Sequence, residues 1–357
     1  MIGLGYFAQS AILPAFAHAK KNSQLVALFS DDSVKLKKLG KKYKAPILSS
    51  YDAMDTVFLN EEIDAVYIAV PNSLHRFFAE KAARYGVHVL CEKPLAVTSD
   101  DCQAIMDTCN ENKVKLMVAY RLHFEQANLK TIQTVQSGKI GTLRFFNSTF
   151  SMQVKAGNIR LDADKGGGTL YDIGIYCINA ARYLFRSEPI EVIAFSAKNN
   201  ESRFKEVDEM TSATLRFPND RLATFTTSFG AADVGRYQVV GTKGSVTLDP
   251  AYEFAGALDQ EIRVGDKKTK QHFSKRDQIA PEILYFSDCI LKNKKPEPSG
   301  EEGLADVRII EALYESAKRK RAITLDEFQK NKRPTMEQED QQPAVDQPTL
   351  IHADQPH

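Results

Sequence analysis

Three side chains in the sequence have the chemistry to move a proton or to hold a polar substrate: Lys93, Asp172 and Tyr176. Lys93 lies in Glu92-Lys93-Pro94, directly after an apolar run, residues 87–91, that predicts a buried strand. Charged residues at the carboxyl end of a parallel strand lie where open α/β sheets bind ligands. Because a proline restricts the residue before it, the lysine is expected at a fixed place. The alternative interpretation is a solvated loop lysine.

The other two side chains follow a glycine run, Gly166-Gly167-Gly168. Glycines there either let a backbone approach another group closely or form a flexible turn. A helix is predicted next, to about residue 185. Asp172 and Tyr176 are four residues apart and would share one of its faces. Taken alone, Asp172 could be a first-turn acid favoured by the helix dipole. The glycine run and a cofactor motif elsewhere favour a functional interpretation.

That cofactor motif opens the chain as G-x-G-x-x-A, residues 3–8. This is the turn of a dinucleotide fold, whose pyrophosphate lies on the amino end of the next helix, here residues 9–20. A short apolar strand, residues 25–29, follows as a βαβ unit requires. The predicted cofactor contacts are Gly3, Gly5, Tyr6, Phe7 and Ala8. A strand of about five or six residues should precede the motif. Only Met1 and Ile2 do so, which predicts a truncated first strand or a start further upstream.

The choice between NADP and NAD depends on the residue that ends the second strand. An acid there would bind the ribose 2′-hydroxyl and select NAD, but the strand register places Ser30 at this position. Ser30 could donate to a 2′-phosphate and Lys35 could pair with it, whereas Asp31 favours NAD. An Asp/Ser cap of a helix over residues 34–43 explains the same pattern. The interpretation is NADP, with NAD as the alternative.

Other polar residues follow predicted strands of the same sheet. Pro71, Asn72 and His75 come after the run 63–70, and Arg121 comes after the strand 114–119. Asn72 could cap the next helix or face the nicotinamide. His75 is more typical of a structural helix residue than of a catalyst. All four are included with Glu92 and Lys93 among the cofactor-binding candidates.

The alternation of strands and helices predicts a doubly wound parallel Rossmann sheet over residues 1–121. After residue 121 the pattern changes to strand-like runs with short turns, which predicts an α+β domain with an open, mainly antiparallel sheet over residues 122–325. Helices near 279–292 and 303–319 are expected to complete that domain. Residues 326–357 are polar and rich in Gln, Asp and Pro, which predicts a disordered tail.

Composition excludes several classes of protein. The 357 residues are 43% hydrophobic with a formal net charge of +1, so neither nucleic acid nor a membrane is expected as a partner. The five cysteines have no metal-type spacing and are interpreted as reduced thiols. No metal is predicted. With no secretory signal visible, the expected location is the cytoplasm.

The motifs together resemble the glucose-fructose oxidoreductase/inositol dehydrogenase (Gfo/Idh/MocA) family over residues 1–325. The resemblance lies in the order of residues 3–8, Pro71-Asn72, Glu92-Lys93-Pro94, Tyr120-Arg121 and 166–176. Most members have His at the place of Tyr176, whereas the branch with Tyr uses NADP. The resemblance implies that Ser30, Lys35 and Tyr51 hold the adenosine phosphate and that Lys93, Asp172 and Tyr176 line a sugar site. It also implies a homodimer or homotetramer paired through the open sheet of the second domain.

Hydride transfer at a sugar C–H(OH) carbon requires a group that takes or gives the hydroxyl proton, and the nicotinamide performs the redox step. Tyr176 is the expected acid or base, with Lys93 favouring its phenolate and polarising the same oxygen. Asp172 would orient the sugar. The first hypothesis is an NADP-dependent sugar oxidoreductase acting on an aldose or a related cyclic polyol. The alternatives are reduction of a keto-sugar, oxidation of a non-sugar diol, and a sensor of sugar or dinucleotide without turnover.

Overall fold

The computed structural model describes residues 1–353 and 355, and its contacts divide the chain into two compact units. The first unit is Met1–Arg121 with Asp277–Gly303 and Asp340–Gln355. The second contains Leu122–Arg276 and Leu304–Glu339. The break at residue 121 coincides with the predicted domain limit. Two later segments return to the first unit, which the sequence did not indicate.

The first unit has a parallel sheet with helices between its strands. The strands are β1 (Ala27–Phe29), β2 (Ile47–Ser49), β3 (Ala65–Ile68), β4 (His88–Glu92) and β5 (Leu116–Ala119). The helices are α1 (Leu13–Ala15, after a π-helical turn Ala8–Ile12), α2 (Ser33–Tyr43), α3 (Met54–Asn60), α4 (His75–Arg84) and α5 (Ser99–Glu111). All strand pairs are parallel, β1 with β2 and β4 with both β3 and β5. The predicted Rossmann sheet is confirmed.

Residues 1–3 take the central strand position between β1 and β3. Ile2 forms parallel bridges with both Phe29 and Ile68. Its backbone N–H donates to the Tyr67 carbonyl at 2.8 Å, and its carbonyl accepts from Ala69 N–H at 2.9 Å. The strand order around the cofactor turn is therefore β2-β1-Ile2-β3-β4-β5. The carboxyl ends of Ile2 and of β1, β3, β4 and β5 share one edge, where doubly wound folds bind ligands.

The second unit contains one nine-stranded sheet. Its elements are α6 (Gln126–Gln136), β6 (Leu143–Ser151), α7 (Ile175–Phe185, after a π-helical turn Leu170–Gly174), β7 (Glu191–Ala197), β8 (Met210–Phe217), β9 (Arg221–Ser228), β10 (Val234–Gly241), β11 (Gly244–Leu248), β12 (Leu258–Val264) and β13 (Lys267–Phe273). The order is β13-β12-β11-β10-β6-β9-β8-β7 followed by the short strand of residues 323–324. Every pair is antiparallel except β6 with β9. The predicted open, mainly antiparallel sheet is confirmed.

One face of this sheet is buried and the other is open. Register places Phe146 beside Ala223 on the buried face, and both are fully buried. One residue along, Phe145 pairs with Leu222 on the opposite face, and Phe195 lies on that same face. The alternation follows from the two-residue period of a strand. The exposed fraction of Phe195 is 68%, so the open face carries large apolar side chains.

The last helices follow in α8 (Ala280–Leu291) and α9 (Gly300–Arg319), and β14 is the short strand Ile323–Thr324. We expected residues 277–303 in the second domain, but they belong to the first unit. The reason is packing at β5: Val118 N–H donates to the Pro298 carbonyl at 3.1 Å. A Cβ on Gly303 would lie 3.1 Å from the Val118 side chain.

The segment predicted as a disordered tail has specific contacts where it is described. Arg333 donates to Glu188 within the second unit at 2.5 Å. In the first unit, Gln342 forms an antiparallel bridge with Asp277, and Ile351 hydrogen-bonds to Gln9. Regular structure in residues 326–353 is limited to the short 3₁₀ turn Met336–Gln338. The part of the tail prediction that falls on residues 354, 356 and 357 lies outside the described residues.

Candidate active site

The dinucleotide turn has the geometry that its two glycines predict. Gly3 has φ +89°, and a Cβ there would lie 2.4 Å from the Ala69 carbonyl oxygen, so only glycine fits. A Cβ on Gly5 would meet nothing within 4 Å. Helical backbone begins at Tyr6, and Ala8 is buried where the helix packs on the sheet. The open space at Gly5, at the amino end of a helix, fits the pyrophosphate of a dinucleotide.

The residues predicted to hold an adenosine 2′-phosphate lie around the loop after β1. Ser30 ends the strand, and its side chain hydrogen-bonds to the Tyr51 phenol. Lys35 lies in the first turn of α2, where its backbone N–H donates to Asp32. Burial and then the Asp31 carboxylate raise the pKa of Tyr51 to about 12, so this phenol stays a neutral donor at neutral pH. Ser30 and Tyr51 therefore lie together as expected, with Lys35 five residues along the chain.

The two acids of this loop have structural partners. Asp31 Oδ1 accepts from the Tyr51 backbone N–H at 3.2 Å. Asp32 caps α2, since its Oδ1 accepts from the N–H groups of Val34 and Lys35 at 2.9 and 3.0 Å. The helix-cap interpretation of the sequence is thus correct for Asp32. Neither acid occupies the strand-end position that selects NAD, which is held by Ser30.

His75 connects two loops at the ligand-facing edge. Its Nδ1 lies 2.8 Å from the Pro94 carbonyl oxygen and its Nε2 lies 3.1 Å from that of Val70. Burial lowers the pKa of His75, so the ring is neutral and donates to one of these oxygens at a time. The histidine thereby fixes the chain next to Lys93. The geometry supports the structural role that was expected for His75. A direct cofactor contact by His75, Pro71 or Asn72 stays a prediction.

Glu92 is held from the side of β3. The Tyr67 phenol donates to Glu92 Oε1 at 2.7 Å. Burial raises the pKa of Glu92 to about 7, and the Tyr67 hydrogen bond together with Lys93 and Arg121 limits the rise. Lys93, the next residue, is half-buried, and Pro94 is buried. Tyr67 therefore holds the side chain of the residue before Lys93, and His75 holds the carbonyl of the residue after it.

A buried charged cluster continues behind Glu92. Arg121 is 5% exposed and donates to Gln278 Oε1 at 2.5 Å. Glu282, on α8, is fully buried. Burial, and then the negative charge of Glu92, raise the pKa of Glu282 well above its ordinary range, while Arg121 opposes the rise. Arg121 therefore lies among acids of its own unit, where its positive charge stabilises the ionised form of Glu92. A cofactor contact by Arg121 stays a prediction.

In the second unit the glycine run packs on a preceding turn. Gly168 N–H donates to the Arg160 carbonyl and Gly167 N–H to the Asp162 carbonyl, both at 2.9 Å. A Cβ on Gly167 would lie 2.5 Å from the Arg160 carbonyl oxygen. Close backbone approach, one of the two interpretations of the run, is therefore its reason here. The packing brings Arg160 to the start of the segment that carries Asp172.

Asp172 pairs with an arginine that the sequence did not single out. Arg160 Nε lies 2.6 Å from Asp172 Oδ2. Asp172 is in the π-helical turn before α7, and Tyr176 is the second residue of α7. The Tyr176 ring packs against Phe150 and Tyr252, with centroids at 5.7 and 5.9 Å. The Asp172 carboxylate, paired with Arg160, and the Tyr176 phenol, packed on aromatic rings, thus lie four residues apart in one helical segment.

The predicted site residues divide between the two units. Lys93 and the predicted cofactor residues belong to the first unit, and Asp172 and Tyr176 belong to the second. Reasoning from the sequence missed Arg160, Tyr67 and Glu282. The only signal for Tyr67 was a phenol within the apolar run 63–70, and for Glu282 an acid within the apolar helix α8. Arg160 lies in a turn that has no motif.

Residues 1–353 and 355 lack the features of two other classes of site. No group of three or more His, Cys, Asp or Glu side chains in that part of the chain is placed to hold a metal ion. No helix there combines the length and apolar character needed to cross a membrane.

Two family models match the chain. Residues 1–120 match the oxidoreductase family with an NAD-binding Rossmann fold. Residues 128–247 match the GFO/IDH/MocA C-terminal domain. The two matches follow the order of the two units.

Individual relatives match over nearly the whole chain. D-xylose 1-dehydrogenase (NADP(+)) from Haloarcula marismortui is 29% identical over 334 residues, which cover 91% of this chain and 92% of that protein. An uncharacterized oxidoreductase from Rhizobium meliloti is 30% identical over 329 residues, covering 89% and 96%. The crystal structure of an aldose-aldose oxidoreductase from Caulobacter crescentus, complexed with glycerol, is 37% identical with a TM-score of 0.87 and covers 91% of this chain and 98% of that one.

Proposed function

The chain belongs to the GFO/IDH/MocA oxidoreductase family, and we propose that it is an NADP-dependent member that transfers hydride between the nicotinamide and a sugar. The sugar is an aldose or a related cyclic polyol. Relatives named as a D-xylose 1-dehydrogenase and an aldose-aldose oxidoreductase support the substrate class. The observation that carries the proposal is the loop after β1, where Ser30 stands in place of an acid and hydrogen-bonds to Tyr51.

Each part of the cofactor has a fitting group in the first unit. The open side of Gly5 would accept the pyrophosphate, and the side chains of Ser30, Lys35 and Tyr51 would hold a 2′-phosphate. In the sequence, Asp31 favoured NAD, but in the structure its carboxylate accepts a hydrogen bond from the Tyr51 backbone and so has a structural role. NADP is therefore the proposed cofactor, and NAD is the alternative that the binding measurements below would reveal.

The proposed chemistry assigns one task to each catalytic residue. When bound, the nicotinamide gives or takes the hydride. Tyr176 takes or gives the proton of the sugar hydroxyl, and Lys93 polarises the same oxygen. Asp172 accepts a hydrogen bond from a second hydroxyl. Arg160, which touches Asp172, is a positioning residue that keeps this carboxylate oriented.

We further propose that the protein forms a homodimer or homotetramer through the open face of the nine-stranded sheet. Phe145, Leu222 and Phe195 lie on that face and are exposed. Large apolar side chains exposed on one face of a sheet are typical of interaction surfaces. Light scattering should show an oligomer that Phe195→Glu weakens. Phe77→Glu, at a similarly exposed phenylalanine of the first unit, should leave the oligomer unchanged. A monomeric wild-type protein contradicts this proposal.

The function is tested by a panel of aldoses, ketoses and cyclic polyols, each supplied with NADP⁺ and with NAD⁺. The proposal expects reduced nicotinamide to form with NADP⁺ and at least one aldose or cyclic polyol. Keto-sugars supplied with NADPH test the reverse direction. Tight cofactor binding without any redox change would support the sensor alternative and contradict turnover.

A further inference from the structure

Gln9 holds a segment that is distant in the sequence. Its side chain is buried at 1% exposure in the helix after the dinucleotide turn. Gln9 Nε2 donates to the Ile351 carbonyl at 2.8 Å, and Ile351 N–H donates to Gln9 Oε1, also at 2.8 Å. The same Nε2 donates to the Leu4 carbonyl within the turn, at 2.9 Å. Ile351 is therefore fixed beside the glycine-rich turn by a two-point backbone contact.

The next residue makes a second contact. His352 Nδ1 lies 2.8 Å from Asp32 Oδ2 in the loop after β1. Asp32 in turn contacts the proposed phosphate-binding residues: its backbone N–H donates to Ser30 Oγ at 3.2 Å, and its Oδ1 accepts from the Lys35 N–H. His352 is thus connected through Asp32 to Ser30 and Lys35, the residues proposed to distinguish NADP from NAD.

These two contacts span the gap between the glycine-rich turn and the loop after β1. In a dinucleotide fold the adenosine ribose lies between those two loops. We propose that residues 349–353 form a clasp over the adenosine end of the cofactor site, and that His352 is a specificity determinant for the 2′-phosphate. The inference rests on the proposed NADP dependence and adds a part of the site that lies outside both family-model matches.

The role of His352 follows from charge. A 2′-phosphate placed beside Ser30 and Lys35 would also lie near the Asp32 carboxylate, which repels it. The imidazole donates a hydrogen bond to Oδ2 and so partly compensates that negative charge, and it leaves Oδ1 to cap α2. NAD has a neutral 2′-hydroxyl at this place and gains nothing from the offset. The contact with His352 should therefore favour NADP over NAD.

The role of Ile351 follows from its contacts with Gln9. Backbone-to-amide hydrogen bonds on both sides of one residue hold the segment without depending on the Ile351 side chain. A cofactor beneath the segment would leave only after these bonds break. The clasp should therefore slow cofactor release more than it changes cofactor entry.

The test measures the dissociation constants of NADPH and NADH by calorimetry for the full chain, a chain ending at Pro348, and His352→Ala. Loss of the clasp should weaken NADPH binding by about tenfold, the worth of one or two net hydrogen bonds. His352→Ala should weaken NADPH by about two- to fivefold, as expected for an exposed ion pair, and leave NADH unchanged. Gln347→Ala, at an exposed residue just before the clasp, is the control.

A double-mutant cycle separates the charge effect from a structural one. Asp32→Asn removes the charge and keeps a good helix cap. In the Asp32→Asn background, His352→Ala should no longer alter NADPH affinity. NADPH binding to the shortened chain that equals or exceeds that of the full chain would overturn the clasp while leaving the proposed function intact. Failure of the full chain to bind NADPH would instead overturn the proposed function, and the clasp with it.

Discussion

Arg160 Nε donates a 2.6 Å hydrogen bond to Asp172 Oδ2 within the second unit. The side chains of Arg160 and Asp172 are 23% and 19% exposed, so the pair is only partly screened by solvent. The contact depends on the glycine run, because Gly167 and Gly168 bond to the turn that carries Arg160. An unremarkable turn residue thereby determines the orientation of a proposed sugar-binding carboxylate.

Arg160→Ala should raise the KM for the sugar by about tenfold and change kcat less, since Asp172 would lose its orienting partner but remain. Arg160→Lys should restore only part of this loss, because an ammonium cannot reproduce the guanidinium geometry. Lys165→Ala breaks an exposed ion pair with Asp162 in the same segment and is the control. Steady-state kinetics measure KM and kcat for the sugar in each variant. An unchanged KM in Arg160→Ala would contradict the positioning role of Arg160.

Tyr176→Phe removes only the phenol oxygen, so the fold and the cofactor affinity should survive. Turnover should fall by about 10²- to 10⁴-fold, the usual contribution of a general acid or base. Lys93→Ala should cost at least as much. If both act on one oxygen, the double variant should be less impaired than the product of the single effects. Tyr171→Phe removes a phenol one turn earlier and should keep turnover. Near-normal turnover of Tyr176→Phe would exclude it from the mechanism.

Lys35→Ala should weaken NADPH binding much more than NADH binding, because only the former carries the 2′-phosphate. Lys37→Ala, at an exposed lysine of the same helix, should alter neither. Ser30→Asp should shift the preference toward NADH, since an acid at the strand end binds the ribose hydroxyl. Calorimetry or nicotinamide fluorescence provides the affinities. A wild-type protein that binds NADH as tightly as NADPH is incompatible with the proposed cofactor.

Glu92 should make the stability of the protein depend on pH. Its pKa is raised from an ordinary 4.5 to about 7 by burial, so the folded protein binds the proton more tightly than the unfolded chain does. The proton on Glu92 therefore stabilises the folded state. This stabilisation is complete below about pH 4.5 and is lost as the pH rises through about 7. Glu92→Gln should remove about 1–3 kcal/mol of this pH dependence.

The free energy of unfolding of wild type and Glu92→Gln is measured by denaturation at about pH 5 and about pH 8, on either side of the Glu92 titration. Glu111→Gln, at an exposed acid at the end of α5, should behave like wild type. An equal loss of stability with rising pH in wild type and Glu92→Gln would show that Glu92 is not the titrating group.

Much of the fold could be predicted because periodicity and turn residues are local signals. The helix predicted over residues 34–43 matches α2 to within one residue. The strands β12 and β13 were missed, since β13 is lysine-rich and carries little apolar signal at the edge of its sheet. The apolar pattern of α8 predicted a helix but not its packing partner. Its place in the first unit depends on Glu282 beside Glu92 and on Pro298 beside β5.

The site was predictable to the extent that motifs mark it. Gly3, Ser30, Lys93 and Tyr176 lie in recognisable patterns. Gly3 has the positive φ that its turn requires, and Ser30 lies beside Tyr51. Arg160 and the Gln9–Ile351 contact have no local signal, because each depends on backbone that folds back from elsewhere in the chain. The polar, Pro-rich composition of the tail predicted disorder at residues 349–353. The few contacts that hold this segment come from residues far away in the sequence, so composition could not indicate them.

The central claim is tested most directly by single-turnover absorbance of the nicotinamide. Protein loaded with one equivalent of NADP⁺ is mixed with excess aldose, and the formation of NADPH is followed in time. The account predicts a sugar-dependent rise with at least one aldose, slowed by about 10²- to 10⁴-fold in Tyr176→Phe. Bound NADP⁺ that stays oxidised with every aldose and cyclic polyol, together with NADPH that stays reduced with every keto-sugar, would contradict it.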